Sequence, residues 1–219
     1  MKKLLSIMAS VLVFAATCLM GCADTTSHAQ GVYMLLDTSG TYRTELAKAQ
    51  SIVNYLLGTL QPGDSFGIAR IDTGSFSERD IVAKINFDGR PSVANNQKRM
   101  FREKIDRFIG SAKGSPYTDI TGGILQAVEY LNESGAGKKY ILIFSDLEED
   151  LKKGYVRDIP FQLEGFQVVA LNVTKLRTDN IDPREYMQRL EQWRRRVEEG
   201  GGTWRVINDL ERLDKILVG

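Results

Sequence analysis

Short apolar runs alternate with amphipathic segments through most of this chain, and this alternation constrains the fold more than any other feature. The strongest run is Tyr-Ile-Leu-Ile-Phe at residues 140–144, and a comparable run ending in an acid occupies residues 31–37. Strands that are apolar on both faces are typical of a parallel sheet covered by helices on each side. Between such runs, segments such as residues 43–58 carry apolar side chains at helical spacing. The pattern predicts an open, three-layer α/β sheet with helices on both faces.

The element pattern also predicts one antiparallel strand. Strands are expected at residues 31–37, 65–71, 81–87, 140–144, 166–173 and 203–207, and helices at 43–58, 95–111, 120–133, 183–198 and 209–217. The link at residues 72–80 is too short for the crossover helix that parallel pairing would require. We therefore expect the third strand to run antiparallel at one edge of an otherwise parallel, six-stranded sheet.

The first 21 residues have the layout of a secretory signal peptide. Two lysines precede an apolar run over residues 4–20, and the run ends in Leu-Met-Gly-Cys at residues 19–22. This ending resembles the bacterial lipobox, in which the cysteine is lipidated and becomes the first mature residue. The alternatives are an ordinary signal peptide with an incidental cysteine, or an uncleaved anchor helix.

The lipobox resemblance implies a domain order and a location. We expect a signal peptide over residues 1–21, a lipidated tether over residues 22–30 that begins at Cys22, and a folded domain over residues 31–219. The lipid would anchor the protein to a membrane of the cell envelope. In a Gram-negative cell, Ala23 after the cysteine resembles an outer-membrane sorting signal, which would place the domain on the periplasmic side.

Composition excludes several classes of function. The chain has 29 Lys and Arg against 28 Asp and Glu, and this net charge of +1 gives no reason to expect a nucleic-acid partner. The single histidine, His28, lies in the predicted tether, which argues against histidine-based catalytic triads and zinc sites. With only Cys18 and Cys22, the sequence has neither a zinc ribbon nor a disulfide framework.

Acidic and hydroxyl side chains follow the ends of the predicted strands. Asp-Thr-Ser-Gly-Thr occupies residues 37–41, and Ser-Asp occupies residues 145–146. If the first strand pairs with the strand at 140–144, Asp37 and Asp146 lie side by side at the carboxyl edge of the sheet, where ligands collect. Two close carboxylates repel each other unless one is protonated or a cation bridges them. Ligands that are all oxygen select a hard ion such as Mg²⁺, Mn²⁺ or Ca²⁺ over zinc.

These residues resemble the metal-ion-dependent adhesion site (MIDAS) of von Willebrand factor type A (vWA) domains. That motif is Asp-x-Ser-x-Ser, then a distant Thr, then an Asp after a hydrophobic strand. The matching positions are Asp37, Ser39, Thr41, Thr118 and Asp146. Thr41 replaces the usual second serine and keeps its hydroxyl group. The resemblance covers about residues 31–217 and includes the closing strand and helix.

The vWA resemblance implies a binding module and not an enzyme. The ion, Mg²⁺ with Mn²⁺ or Ca²⁺ as alternatives, would keep one coordination position for an acidic side chain of a protein partner. The sequence shows no nucleophile paired with a base, which agrees with a non-enzymatic role. A vWA scaffold whose metal site is vestigial is one alternative to this interpretation.

A second alternative is an enzyme. The string Ser-Asp-x-x-x-Asp at residues 145–150 resembles the later acidic motif of haloacid dehalogenase-like phosphatases. In that reading Asp37 is the nucleophile, and Asp37, Asp146 and Asp150 hold Mg²⁺. That family places a second Asp two residues after the nucleophile as an acid–base group, whereas this chain has Ser39 there.

Further acidic residues lie near the motif. Many vWA domains have Gly after the last Asp, whereas here Leu147 and the acids of residues 148–150 follow. We expect these acids to form a solvated loop, although added metal ligands or weaker affinity for an acidic partner are the alternatives. Asp119 is the other candidate in the same loop as Thr118, although we expect it to be a helix N-terminal acid stabilised by the helix dipole.

Overall fold

The computed structural model describes residues 28–39, 42–73, 76–176, 178–209 and 213–217. Several sequence predictions fall outside these ranges. They are the signal peptide, the lipidation of Cys22, most of the tether, and the metal ligand Thr41.

Within the described residues, six strands form one mixed sheet. They are β1 Gln30–Leu36, β2 Ser65–Arg70, β3 Ile81–Asn86, β4 Lys138–Phe144, β5 Phe166–Leu171 and β6 Thr203–Ile207. Their order is β3-β2-β1-β4-β5-β6, and every neighbouring pair is parallel except β2 and β3. The predicted antiparallel edge strand is therefore confirmed. β5 ends at Leu171 because Asn172 has a φ of 53°, a left-handed conformation that cannot continue a strand.

Helices cover both faces of the sheet. In the described part of the chain the α-helices are α1 Leu46–Thr59, α2 Pro91–Ser111, α3 Ile120–Glu133 and α4 Pro183–Glu199. α2 begins at Pro91 and not at residue 95, since a proline is tolerated at the first helical position. None of the described helices is long and apolar enough to cross a membrane.

Part of the closing helix predicted over residues 209–217 lies outside the described ranges, at residues 210–212. Leu213–Lys215 forms a 3-10 turn, where an α-helix was predicted. Arg205 of β6 donates hydrogen bonds to the carbonyl oxygens of Lys215 and Ile216, at 3.0 and 2.9 Å. A segment this short is not stable as an isolated helix, so its contacts with the sheet determine its conformation.

Two apolar cores enclose the sheet. In β1, Val32, Met34 and Leu36 face the core beneath α1 and α2, whereas Tyr33 and Leu35 face the core beneath α3 and α4. Both faces of the strand are buried, which explains why its sequence is apolar without alternation. The predicted three-layer arrangement is confirmed, and it places the carboxyl ends of β1 and β4 next to each other.

Candidate functional site

The pairing of β1 with β4 brings Asp37 and Asp146 to the same edge of the sheet. The two strands are parallel, with Leu36 opposite Phe144 at their carboxyl ends. The N–H of Asp37 donates to the carbonyl oxygen of Phe144 at 3.0 Å, so Asp37 continues the ladder by one residue. Asp146 follows Phe144 by two residues on the neighbouring chain segment. The strand order reverses at β1, the position where open α/β sheets form ligand crevices.

The Asp37 carboxylate is buried and held by hydrogen bonds. Its Oδ1 accepts from the N–H of Ser39 at 2.8 Å, and its Oδ2 accepts from the hydroxyl of Ser145 at 2.7 Å. Ser145 Oγ in turn accepts from the N–H of Leu147 at 3.0 Å. Ser145 therefore orients Asp37, a role that sequence reasoning missed although Ser145 directly precedes Asp146.

The backbone of the Asp146 loop is fixed by α4. The Asp146 side chain is 4% exposed, and its Oδ1 accepts from the N–H of Glu148 at 3.0 Å. Arg189 of α4 donates from Nε to the Asp146 carbonyl oxygen at 2.9 Å. The same guanidinium forms an ion pair with buried Asp179, at 2.7 Å between Nη2 and Oδ2. Nothing in the local sequence around Asp146 indicates this arginine, because it lies far along the chain.

Burial makes both site carboxylates easier to protonate than an exposed aspartate. Burial raises the pKa of Asp37 above its ordinary value, and the nearby charge of Asp72 raises this pKa further. Burial raises the pKa of Asp146 to about 6, and the charge of Asp37 contributes to this increase. Asp72 follows β2 at the same edge of the sheet, where sequence reasoning missed it. The site therefore concentrates negative charge where water provides little screening.

Thr118 lies at the same edge of the sheet, in the loop before α3. It is buried and forms an isolated β-bridge with Asp150, with N–H to carbonyl distances of 2.8 and 3.0 Å. The N–H of Asp119 donates to the carbonyl oxygen of Ile71, just beyond β2, at 2.8 Å. These backbone contacts attach the loop to the carboxyl ends of the strands, close to the two site aspartates.

Asp119 caps α3, as expected. Its Oδ1 accepts from the N–H of Gly122 at 2.7 Å, and its Oδ2 accepts from the N–H of Phe76 at 2.8 Å. Arg157 forms an ion pair with the same carboxylate at 2.8 Å. Because both oxygens already have partners within the fold, Asp119 has a structural role.

The acids that follow Leu147 do not act as one group. Glu149 accepts from the N–H and the hydroxyl of Thr121, at 2.6 and 3.0 Å, and thus supports the start of α3. Glu148 and Asp150 are exposed. The expected solvated loop is therefore right for Glu148 and Asp150, whereas Glu149 is bound to α3.

The donor set at this edge suits a small hard cation. Within the described residues, two buried oxygens next to the site, Thr38 Oγ1 and Asp72 Oδ1, have no hydrogen-bond partner. Asp72 Oδ1 has only an ion pair with Arg70, at 3.5 Å. The described ranges contain no group of three or more His, Cys, Asp or Glu side chains that could hold a metal. A MIDAS needs no such group, because hydroxyl and water oxygens complete a site with few carboxylates.

Comparison with known proteins identifies the architecture of this domain. No protein-family model and no curated protein matches the sequence. A von Willebrand factor type A protein from Catenulispora acidiphila superimposes with a TM-score of 0.54 at 16% identity, over 85% of this chain and 40% of that one. The pilus adhesin SpaC from Lactobacillus rhamnosus GG gives 0.55 at 10% identity, over 87% and 29%. The minor pilin PilB from Streptococcus sanguinis gives 0.50 at 13% identity, over 88% and 60%.

These likenesses concern the fold. At such low identities they do not transfer a ligand or an activity. This chain spans less than two thirds of the length of each of the three structures. Its function must therefore be argued from its own residues.

Proposed function

Because the domain has the fold of von Willebrand factor type A domains, we propose that it is a non-enzymatic module that binds a protein partner through a divalent cation. Asp37, Ser39, Thr41, Thr118 and Asp146 would hold the ion. The ion would be Mg²⁺, with Mn²⁺ and Ca²⁺ as alternatives that the oxygen ligands also allow. The cation supplies a positive charge to which an acidic side chain of the partner binds.

The main support for this proposal is that two buried aspartates lie at the same edge of the sheet, where the strand order reverses. Asp37 and Asp146 have little exposed surface and raised pKa values, so their charged forms are unfavourable without a counter-charge. A divalent cation provides that counter-charge. Neutral hydroxyl ligands add no negative charge, so the ion retains affinity for a carboxylate from outside.

The position of the site fits display from a membrane surface. We propose that Cys22 carries the lipid anchor and that the protein resides in the cell envelope, at the periplasmic side of the outer membrane in a Gram-negative cell. β1 begins at Gln30, next to the proposed tether, and the site lies at its other end. Its seven residues span about 23 Å, so the metal site faces away from the anchored end.

Two alternatives make different predictions. The phosphatase lacks its acid–base group, because Ser39 stands where that family has a second Asp, and the Ser39 N–H donates to Asp37 Oδ1 at 2.8 Å. Asp150, the proposed third metal ligand of that enzyme, is exposed and pairs through its backbone with Thr118. Addition of beryllofluoride to Asp37 would favour the phosphatase. A vestigial site predicts that Asp37→Ala leaves partner capture unchanged.

Thermal unfolding with and without metal tests the proposal. An ion that binds only the folded state at 100 times its Kd stabilises it by about 2.7 kcal/mol, which raises Tm by about 5–10 °C for a domain of this size. We expect this shift with Mg²⁺ or Mn²⁺ relative to EDTA. Asp37→Asn should abolish the shift, whereas Asp158→Asn, the same charge change at an exposed loop position, should retain it.

Partner capture from the envelope of the parent organism provides the functional measurement. We expect a protein that is retained in Mg²⁺, released by EDTA, and not retained by Asp37→Asn. The proposal fails if neither Mg²⁺ nor Mn²⁺ shifts Tm, or if capture is the same in EDTA.

A further inference from the structure

A cationic trough lies beside α2, apart from the candidate metal ligands. It has a volume of about 490 Å³ and opens between α2 and the edge of the sheet at β3. Its lining includes Arg70, Arg79, Val82, Lys104, Arg107 and Phe108. The proposed metal site uses none of these residues, so the trough requires its own explanation.

Acids of the fold neutralise only part of the positive charge of the trough. Among its lining residues, all of them in the described ranges, Asp80 is the one acid. Asp80 is buried, and its Oδ2 accepts from the N–H of Ser77 at 2.7 Å and from the hydroxyl of Thr73 at 3.1 Å. Arg70 lies between Asp80 and Asp72, at 3.4 and 3.5 Å, and these two acids balance its charge.

Three exposed cations remain in the trough. In the part of the chain that the structure describes, Arg79 and Lys104 form no ion pair, and Arg107 donates only to the backbone carbonyl of Glu103, at 3.2 Å. A ligand with several negative charges would therefore meet cations that need no rearrangement of existing ion pairs.

The arrangement of the cations favours an extended ligand. Lys104 and Arg107 lie on one face of α2 about 4.5 Å apart along the helix axis, and Ser111 extends this polar row to about 10 Å. Arg79 approaches from the 3-10 turn that precedes β3. Val82 and Phe108 are partly buried and form an apolar part of the lining. Cations spaced along an apolar strip fit a polypeptide with several acidic side chains better than a single phosphate group.

The trough and the candidate metal site both lie at the end of the sheet where β1 and β2 have their carboxyl ends. Arg70 is the last residue of β2 and pairs with Leu36, the residue before Asp37. Asp72 Oδ1, which is 3.5 Å from Arg70 Nε, links the two regions through the side chains. The trough therefore lies on the side of the sheet that a partner bound at the metal would face.

We propose that this trough binds an acidic segment of the same protein partner whose carboxylate completes the coordination of the cation. This inference rests on the proposed function and extends it by assigning a second contact to the partner. The cation would select one carboxylate, and the trough would select a neighbouring run of acidic residues. Interactions with exposed cations should weaken as salt concentration rises.

The trough can be tested without metal and without the natural partner. The probe is a fluorescein-labelled hexaglutamate peptide, and its binding to the full domain is measured by anisotropy in EDTA at low ionic strength. We expect the triple variant Arg79→Gln/Lys104→Gln/Arg107→Gln to bind the peptide at least tenfold more weakly than wild type. The matched control is Lys152→Gln/Lys153→Gln/Arg195→Gln, which removes three exposed cations elsewhere and should bind within about twofold of wild type.

The same variants separate this inference from the proposed metal site. The trough variant should retain the Mg²⁺-dependent increase in Tm, and Asp37→Asn should retain peptide binding in EDTA. Absence of peptide binding to wild type, or an equal loss of affinity in the matched control, overturns the inference. Competition by pyrophosphate at lower concentrations than unlabelled hexaglutamate also overturns it and identifies a phosphate site instead.

Discussion

Leu147 has a backbone conformation that normally favours glycine. Its φ is 67°, a left-handed value that costs a residue with a side chain about 1–2 kcal/mol. The side chain is nevertheless buried, and Trp193 Nε1 donates to the Leu147 carbonyl oxygen at 3.0 Å. Packing against α4 therefore keeps a strained residue directly after Asp146, at the position where many vWA domains have glycine.

Substitutions at Leu147 should separate packing from backbone strain. Leu147→Ala removes the buried side chain and keeps the strain, so it should lower the free energy of unfolding by about 2–5 kcal/mol. Leu147→Gly also removes the side chain but relieves the strain, and it should be more stable than Leu147→Ala by about 1 kcal/mol. Urea denaturation of the two variants measures the difference. A glycine variant less stable than the alanine variant would contradict this explanation.

At the scale of elements, the start of α3 determines how the Thr118 loop reaches the site. Asp119 and Glu149 both accept hydrogen bonds from the first turn of the helix, and Arg157 pairs with Asp119. The negative charge of these two acids lies at the positive end of the helix dipole, which stabilises them. Both acids are therefore structural although they lie near the candidate metal ligands. An experiment must distinguish this capping role from metal binding.

Two substitutions of Asp119 test its role as a cap. Asp119→Ala removes the acceptors for Gly122 and Phe76 and leaves Arg157 without its partner, so it should lower the free energy of unfolding by about 3 kcal/mol. Asp119→Asn keeps an acceptor and should recover part of this loss. Both folded variants should retain the Mg²⁺-dependent increase in Tm. Loss of that increase in Asp119→Asn would instead identify Asp119 as a metal ligand.

For the whole molecule, the buried carboxylates affect how stability depends on pH. The pKa of Asp146 is about 6 in the folded protein, above its ordinary value of 3.8. The folded state therefore binds this proton more tightly than the unfolded state does. Without a bound cation, protonation of Asp146 therefore adds to the free energy of unfolding at low pH. This stabilisation is lost as pH rises from about 4 to about 6.

Asp146→Asn should show this dependence as a difference from wild type. In EDTA, we expect the variant to equal wild type in free energy of unfolding near pH 4 and to exceed it by about 1–3 kcal/mol at pH 7, because the buried charge is gone. In Mg²⁺ at pH 7 the order should reverse, since only wild type binds the ion. Urea denaturation across this pH range provides the measurement. A variant that is less stable than wild type at pH 7 in EDTA would contradict the assignment.

Much of the molecule was predictable because its signals are local. The spacing of apolar residues predicted which segments are strands and which are helices. The short link at residues 72–80 predicted the antiparallel strand at one edge of the sheet. Asp37 and Asp146 were expected at one edge if the first strand pairs with the strand at 140–144, and the structure shows this pairing. Asp72 occupies the equivalent position after β2, so the same reasoning could have found it.

The sequence by itself determined the order of the elements and the strand ends that carry the acidic and hydroxyl groups, because strand and helix periodicities depend on neighbouring residues. Only the tertiary structure decided which acids are free and which are bound. Ser145 holds Asp37, Arg189 holds the Asp146 loop, and Arg157 holds Asp119. Each of these contacts joins residues far apart in the chain, and packing between elements, which no local pattern encodes, brings them together.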